Sequence, residues 1–591
     1  MAKLFVCAWV FATAALAATP ESLYNQNCAQ CHDRSDNPRV PTRATLNALS
    51  PDFIQRVLTI GAMSHQGASL TPAERIELAR WLGSARGSTV IANPCSVRGG
   101  GGPGSWTAWS PALANTRWVA SSIDAAKLEL QWAYGFPGAS MMRSQPAVDN
   151  GRVYAGSQDG TVSAIDAQTG CTWWTANVAA EVRTAIVVAN GALYFGDNTG
   201  VVHAVGTSDG RALWSTRTDD HPAARITGAP VYYRGRLYVP VASSEEAVAM
   251  QPGYQCCTFR GSVLALDAST GRIIWKTHTI TEPARPLTTK RGTKTLGPSG
   301  AAVWSPATID ATRNALYVTT GDNYSDPVTA TSDAVLALDL ATGKILWWRQ
   351  FTAGDAMNLS CWQPGKENCP DSDGPDFDFG APSMLVTLGG NRRALVLGQK
   401  SGMVYAIDPD RKGAPIWQYR ASDGGVAGGI QWGMAADKKR AYIAVSDMGI
   451  KPPAKRVPGG PRYEIDPAKG GGLIALNLAD GKLAWRTPAP GCDDRRPCSP
   501  AQIAPVTATT TAIYSPSIDG RVRAYSPAEG RILWTFDTVR DFQTANNVPA
   551  RGGSMDVAGA VIAGDMVFVM SGYNFLGGMP GNVLVAFRVS Q

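Results

Sequence analysis

One unit recurs along most of the chain and limits what it can fold into. It reads Ala164-Ile165-Asp166-Ala167-Gln168-Thr169-Gly170, then Trp174. It returns as Ala265 to Gly271 with Trp275 and as Ala337 to Gly343 with Trp347, and weaker copies end at Trp214, Trp417, Trp485 and Trp534. Each copy reads as two β-strands joined by a tight turn. The aspartate accepts turn amide hydrogens, and the glycine supplies positive φ. The closing tryptophan can fill the gap between neighbouring sheets. Leu128 to Trp132 is a further closing strand without the turn and brings the tryptophans to eight. Copies every roughly 40 to 70 residues, with four short strands each, predict an all-β eight-bladed propeller, with a seven-bladed ring or an open solenoid as alternatives. The last strand, Asn582 to Phe587, has no following tryptophan. It is expected to pair with the strand ending at Trp132, so that both chain ends share one blade and no edge stays free.

The composition agrees. Of 591 residues, 44% are hydrophobic and 17% charged, and the 62 glycines and 39 prolines suit many turns. A net charge of +7 without a basic run gives no support for a nucleic-acid partner. Five histidines argue against a multi-histidine copper or zinc centre. No Gly-x-Gly-x-x-Gly opens a βαβ unit, which removes nicotinamide binding.

Residues 1–17 read as a secretory signal: Lys3, an apolar run from Leu4 to Leu16, and the small-x-small site Ala15-Leu16-Ala17. A periplasmic protein is expected. No later stretch approaches the roughly 20 apolar residues of a membrane span. Cys28-Ala29-Gln30-Cys31-His32 then provides two thiols for the vinyl groups of one covalent haem c and an axial histidine. A zinc half-site is the alternative, but residues 33–94 hold no cysteine and only His65. Met63 is the expected sixth iron ligand, with His65 as competitor. Thr71 as N-cap and Pro72 at the first helical position predict a closing helix over about 72–84. These features outline a small all-α cytochrome c domain over 18–90. A linker over 91–105 follows, with the flexible Arg98 to Ser105 run, and the propeller spans 106–591.

Eleven cysteines remain to be assigned. Cys7 leaves with the signal, and Cys28 and Cys31 hold haem. Eight are left, an even number that suits an oxidising compartment. Cys361 with Cys369 and Cys492 with Cys498 read as short loop staples, Cys256 and Cys257 are adjacent, and Cys95 with Cys171 follow by elimination.

The Ala-x-Asp-x-x-Thr-Gly-x-x-x-Trp repeat resembles the tryptophan-docking motif of quinoprotein alcohol dehydrogenases, eight-bladed propellers that hold pyrroloquinoline quinone and calcium on the axis. The resemblance runs through nearly all the chain after Asn115-Thr116-Arg117. It implies that Thr227 and Ser244 contact the quinone and that Trp304 forms the floor beneath it. Lys400 and Trp432 would stand beside it, and Glu245 and Asn323 would ligate calcium through oxygen. The later glycine-rich segment Gly577 to Gly581 carries Met579 where many relatives have tryptophan. Calcium would polarise the quinone carbonyl, Lys400 would stabilise the reduced oxygen, and a carboxylate would take the hydroxyl proton. Asp322, Asp326 and Asp333 lie in the loop where the family places that base; Asp326 and Asp333 are favoured. In several relatives a ring of adjacent cysteines covers the quinone, but there it sits in the first blade, unlike Cys256-Cys257.

An N-terminal cytochrome before such a propeller, with Glu-Glu ahead of Cys-Cys-x-Phe-Arg-Gly, resembles the polyvinyl-alcohol dehydrogenase branch of the quinohaemoproteins. That resemblance implies oxidation of secondary hydroxyls along a polymer to ketones. Electrons would pass from quinone to haem and on to an external cytochrome c. A dehydrogenase of small alcohols is the alternative within the class. A non-catalytic scaffold, like the propellers of outer-membrane assembly, is the alternative outside it.

Overall fold

Each copy of the repeat interlocks with the next, and that interlock closes a ring. In the computed structural model, the indole Nε1 of Trp132 donates to Ala167 O, Trp174 to Thr207 O, Trp214 to Ala268 O and Trp275 to Leu340 O, at 3.0, 3.0, 3.0 and 3.3 Å. Trp417 donates to Leu478 O, Trp485 to Pro527 O and Trp534 to Leu128 O, at 2.8, 3.0 and 3.2 Å. The ring faces lie on the turn glycine of the following blade. A Cβ on Gly170, Gly210, Gly271, Gly343, Gly481 or Gly530 would fall between 2.4 and 2.9 Å from that tryptophan or its strand. The turn aspartates do what their spacing predicts: Asp166 Oδ1 accepts from Gln168 N and Thr169 N at 3.1 and 2.9 Å, and Asp267 and Asp339 repeat the pattern.

The structure describes residues 18–34, 40–47, 49–59, 63–67, 69–84, 93–96, 104–178, 180–451 and 464–590. The expected signal over 1–17 and residues 91–92 and 97–103 of the expected linker lie outside them. The chain divides into two compact units, Met1–Ser88 and Thr89–Gln591.

The second unit holds eight blades, each with four antiparallel strands; Ala224–Arg225 adds to blade 3, and Trp118–Val119 adds in parallel to blade 7. Blade 1 comprises Ala147–Asp149, Arg152–Gly156, Thr161–Asp166 and Thr172–Asn177, from axis to rim. Blades 2 to 7 span 187–217, 231–278, 308–350, 384–420, 435–487 and 507–537. Blade 8 takes three strands from 561–589 and its outer strand, Leu128–Gly135, from the start of the propeller, paired from Leu128↔Val589 to Gly135↔Val583. This is the closure expected from the missing tryptophan. The segment 106–119 runs along the axial channel: Val188 N, Ile309 N, Leu385 N, Ala436 N and Ala508 N donate to its carbonyls. Arg117 at its end is fully buried and donates only to neutral acceptors, among them Val506 O, Gln145 Oε1 and Thr507 Oγ1 at 2.8 Å each.

All four expected disulfides are present: Cys95–Cys171, Cys256–Cys257, Cys361–Cys369 and Cys492–Cys498. The first ties residue 95 to blade 1, so the start of the expected linker is anchored there.

The first unit contains α1 (Pro20–Asn27), α2 (Ala29–His32), α3 (Arg43–Asn47), α4 (Pro51–Thr59), α5 (Ser64–Gly67) and α6 (Pro72–Leu82). Thr71 caps α6 as predicted, and its side chain accepts from Glu74 N while Glu74 accepts from Thr71 N, a reciprocal capping box. Leu23, Tyr24, Ile54, Leu58, Leu78 and Leu82 form the core.

The interlock gives a paired test. Gly271 (φ 73°) and Gly235 (φ 78°) share the left-handed conformation, but only Gly271 lies under a tryptophan, Trp214; nothing lies within 4 Å of a Cβ on Gly235. Gly235→Ala should carry only the backbone cost of about 1–2 kcal/mol. Gly271→Ala should add about 1–3 kcal/mol of overpacking. Thermal unfolding of the two variants should therefore show the clearly larger drop in Tm for Gly271→Ala.

Candidate active site

The loops that lead into the innermost strands all reach the axis at one end of the ring. Arg143, Arg183, Thr227, Trp304 and Gly380 each stand four residues before the innermost strand of blades 1 to 5, which begin at Ala147, Val187, Val231, Thr308 and Met384. Trp432 stands three before blade 6 at Ala435. These six residues line one axial cavity of about 330 Å³, the part open to solvent included. The repeat that builds the blades thus also sets one ring position per blade toward a shared space.

Trp304 is central. Its indole meets Trp432 edge-on, with centroids 5.0 Å apart, and Lys400 Nζ lies 5.5 Å from its ring centre. A Cβ on Gly380 would fall 2.2 Å from the Trp304 ring, so the backbone just after Asp376-Phe377-Asp378 lies flat against it. Thr227 lines the cavity and donates to Trp304 O at 3.3 Å. Trp432 Nε1 donates to buried Asp556 at 2.7 Å.

On the Lys400 side, acids gather. Lys400 Nζ bonds Asp376 Oδ1 at 2.7 Å and Asp378 Oδ2 at 2.6 Å. Asp378 Oδ1 accepts from Asp322 N at 2.6 Å, and Asp322 Oδ2 accepts from Met357 N at 2.9 Å. Carboxylate oxygens of Asp322, Asp376 and Asp378 lie within 4.8 Å of one another, all buried. Asp376 Oδ2 has no hydrogen-bond partner. Glu246, on the short helix α7 (Glu245–Val248), lies within electrostatic reach of Lys400 and Asp378. Burial and then Asp378 beside it push the Asp322 carboxyl well above the usual range. Burial pushes Glu246 up to about 7, Lys400 opposing and Asp378 adding. Lys400 is held charged, because Asp376 and Asp378 outweigh its own burial. Four carboxylates thus face one ammonium. A cation with hard oxygen ligands relieves that repulsion: one oxygen each of Asp322, Asp376 and Asp378 can meet at one point, with Glu246 in electrostatic reach.

Two arginines line the cavity, and Arg183 lies 5.3 Å from the Trp432 ring. Arg143 makes a fork of bonds to Glu181, its Nε at 2.8 Å. Arg183 Nη1 is buried without a partner. Burial, and then Arg143 beside it, pull the Arg183 guanidinium down to about 10. Such a group is a ready receptor for a carboxylate.

The residues expected from sequence divide accordingly. Thr227, Trp304 and Trp432 line the cavity, and Lys400 stands beside it. Ser244 caps the start of α7 and bonds Ala223 O. The Glu245 carboxylate is saturated by Tyr254 Oη, Thr258 N and Phe259 N at 2.8 Å each. Burial alone would raise it, but His221 and these donors hold it below the usual range. Asn323 is likewise used up, its Oδ1 accepting from Thr329 N and its Nδ2 donating to Ser299 O. Asp326 is a loop brace, accepting from Asp371 N and Ser372 Oγ at 2.6 Å each. Asp333 is fully buried with both oxygens unpartnered, and burial and Asp355 push it well above the usual range. Cys256 and Cys257 are buried beside Phe259 and outside the cavity lining. Sequence reasoning missed Arg143, Arg183, Glu246, Asp376 and Asp378. The arginines were findable from the recurring position before each inner strand, and the two acids from the Asp-x-Asp pair close before Gly380.

In the first unit, Cys28 and Met63 pack on the same apolar cluster, and Cys28 and Cys31 are the free cysteines among the described residues. His32 Nδ1 lies 2.7 Å from Pro41 O, which selects the tautomer that leaves Nε2 for iron. His65 has a described backbone only.

Comparison with known proteins follows this geometry. The family model for outer membrane protein assembly factor BamB matches residues 109–297 and 400–588. The model for the glucose/ethanol/alcohol dehydrogenase β-propeller domain matches 227–423, and that for cbb3-type cytochrome c oxidase subunit III matches 15–82. A polyvinylalcohol dehydrogenase from a Pseudomonas species is 36% identical, covering 96% of this chain and 93% of its own. One from Sphingopyxis sp. (strain 113P3) is also 36% identical, covering 96% and 92%. The crystal structure of quinohemoprotein alcohol dehydrogenase from Comamonas testosteroni superposes with a TM-score of 0.59 at 19% identity, covering 82% of this chain and 80% of that one. A europium-containing methanol dehydrogenase gives 0.60 at 18%, covering 82% and 98%. The two structures share the fold.

A cation at Glu246, Asp322 and Asp378 must displace the proton that Glu246 holds up to about 7. Below that pH the group is neutral and above it charged, so calcium should bind more tightly as pH rises. Calorimetry should give an affinity about tenfold higher at pH about 8 than at pH about 6. Glu246→Gln should weaken binding and flatten that dependence, and Glu245→Gln should do neither.

Proposed function

The chain belongs to the polyvinylalcohol dehydrogenase family, and on that premise we propose that it oxidises secondary hydroxyl groups of polyvinyl alcohol to ketones, with pyrroloquinoline quinone in the propeller and haem c in the N-terminal unit. The observation that carries this reading is the set of charged groups held against two cavity tryptophans. Lys400, bonded to Asp376 and Asp378, lies 5.5 Å from the Trp304 ring, and Arg183, with an unpartnered Nη1, lies 5.3 Å from the Trp432 ring beside Arg143. Pyrroloquinoline quinone is a flat ring system with carboxylates at its edge and a cation-chelating quinone face, and when bound it supplies the hydride acceptor.

Trp304 would stack on the ring. Arg183, with its unpartnered Nη1, would bond a ring carboxylate, and Arg143 would add positive charge beside it. Lys400 would donate to a quinone oxygen and stabilise negative charge there. Glu246, Asp322 and Asp378 would hold calcium. The formal surplus of three negative charges in this cluster also suits a trivalent lanthanide as a second reading. Asp376 is the proposed base. Its Oδ2 is the carboxylate oxygen left free beside the lysine, and it would take the hydroxyl proton as the carbon-bound hydrogen leaves with its electron pair. Asp355 positions it by accepting from Asp376 N and Phe377 N at 3.1 and 2.8 Å. Cys28 and Cys31 would carry one haem by thioether bonds, with His32 and Met63 as its axial ligands. From haem, electrons would pass singly to an external cytochrome c in the periplasm. Among the described residues, no helix is long and apolar enough to cross a membrane.

Protein freed of quinone and metal should show haem reduction by polyvinyl alcohol only after both pyrroloquinoline quinone and calcium are added. Asp376→Asn should still bind both, seen by quenching of tryptophan fluorescence, yet lose at least about a hundredfold in the rate of haem reduction. Reduction at the native rate in Asp376→Asn would transfer the base role elsewhere, and haem that never reduces would return the propeller to a binding scaffold.

A further inference from the structure

Apart from Leu113 on the axial segment, the large hydrophobic side chains left exposed on the propeller are of two kinds. Leu130, Leu213, Ile273, Leu346 and Leu483 each stand one or two residues before a docking tryptophan on an outer strand, and Trp348 directly follows one. They belong to the repeat. Val328, Trp362 and Phe575 do not. All three lie in loops at the cavity end of the ring: between the second and third strands of blade 4, between blades 4 and 5, and between the second and third strands of blade 8. The two aromatics are 41% and 51% exposed.

Each aromatic is tied to the cavity by its own neighbours. Trp362 ends a 3-10 turn, Leu359–Trp362, which packs against α7, the helix that carries Glu246. The turn is rigidly held. Asn358 accepts from Ser360 N and donates to Tyr324 O and Asn368 O, and Cys361 is bonded to Cys369. Phe575 precedes Leu576, which packs on the buried cluster that contains Tyr573 and that the cavity-lining Trp432 also packs against; Trp432 and Tyr573 both reach Asp556. One aromatic therefore stands near the carboxylate side of the cavity and the other near the Trp432 side.

We infer that Trp362 and Phe575 form a docking track for the polymer chain across the cavity mouth. This rests on the proposed oxidation of a polymeric secondary alcohol. A chain of alternating methylene and hydroxyl-bearing carbons is far longer than the cavity, so its flanking units must lie on the rim. Its methylene edge is apolar and stacks on aromatic faces, while its hydroxyls stay hydrated. Two rigid aromatics lose little conformational freedom when they bind such a chain. A small alcohol enters the cavity without touching either one.

The test compares substrates on the holoenzyme. Haem reduction is followed with polyvinyl alcohol and with 2-butanol for the native protein, for Trp362→Ala, Phe575→Ala and their combination, and for Trp348→Ala as an equally exposed tryptophan on an outer strand. The double variant should lose about tenfold or more in kcat/KM for the polymer, carried by KM, and change less than about twofold with 2-butanol. Trp348→Ala should match the native protein on both. Equal losses on both substrates, or no loss on the polymer, would overturn the track. If the native holoenzyme reduces haem with neither substrate, the proposed function falls first and the track falls with it. Unchanged circular dichroism and Tm in each variant separate a docking effect from misfolding.

Discussion

The contact between a tryptophan on the outer strand of one blade and a turn glycine of the next is the constraint on which this structure depends. A four-stranded blade alone is a small open sheet with two edges and little core. The indole covers the glycine turn, and its N–H satisfies a backbone carbonyl on the neighbouring blade, so each blade completes the core of its neighbour. Glycine is required twice over, for its left-handed backbone and for the missing Cβ that the indole replaces. Seven such donations and the shared eighth blade turn an open series into a closed ring. Closure then makes the loop preceding each inner strand converge on the axis, and that convergence makes a site possible.

The site uses the convergence to separate charge. Acids from α7, from the loop after the second strand of blade 4 and from the blade 4–5 connection gather around Lys400 beside Trp304, and arginines before blades 1 and 2 gather with Glu181 and Asp556 beside Trp432. Burying four carboxylates against one lysine is costly in itself. The cost is tolerable where a cation is bound, and the unpartnered oxygen of Asp376 and the unpartnered nitrogen of Arg183 are placed where ligand atoms of opposite character would complete them. The axial segment contributes Trp109 to the cavity lining, and buried Arg117 stacks on that ring.

What local chemistry controls was legible in the sequence. The Asp-x-x-Thr-Gly turn, the capping box at Thr71, the short staples Cys361–Cys369 and Cys492–Cys498, and the strand lacking a tryptophan each state their structure within a few residues. Thr227, Trp304, Lys400 and Trp432 were legible only through the resemblance to quinoprotein alcohol dehydrogenases, whose quinone-contacting segments they match. The acids were harder for physical reasons. Glu245 and Glu246 are neighbours on one helical turn, about 100° apart. Which of them faces the site depends on a loop, Tyr254 to Phe259, whose amides claim Glu245. Asn323 and Asp322 show the same one-residue difference, settled by the turn at Thr329. Asp376 and Asp378 come from a long connection whose path over the cavity depends on Asp355, Asn358 and the Cys361–Cys369 bond, which no periodicity announces.

The proposed cation would sit among Glu246, Asp322 and Asp378, next to Asp376 as base. The most direct measurement is anomalous diffraction from crystals of the quinone-loaded protein soaked with calcium and, in parallel, with terbium. One strong peak should appear at about 2.3–2.6 Å from oxygens of Glu246, Asp322 and Asp378, beside Lys400. A peak bonded to Glu245 and Asn323 would contradict it.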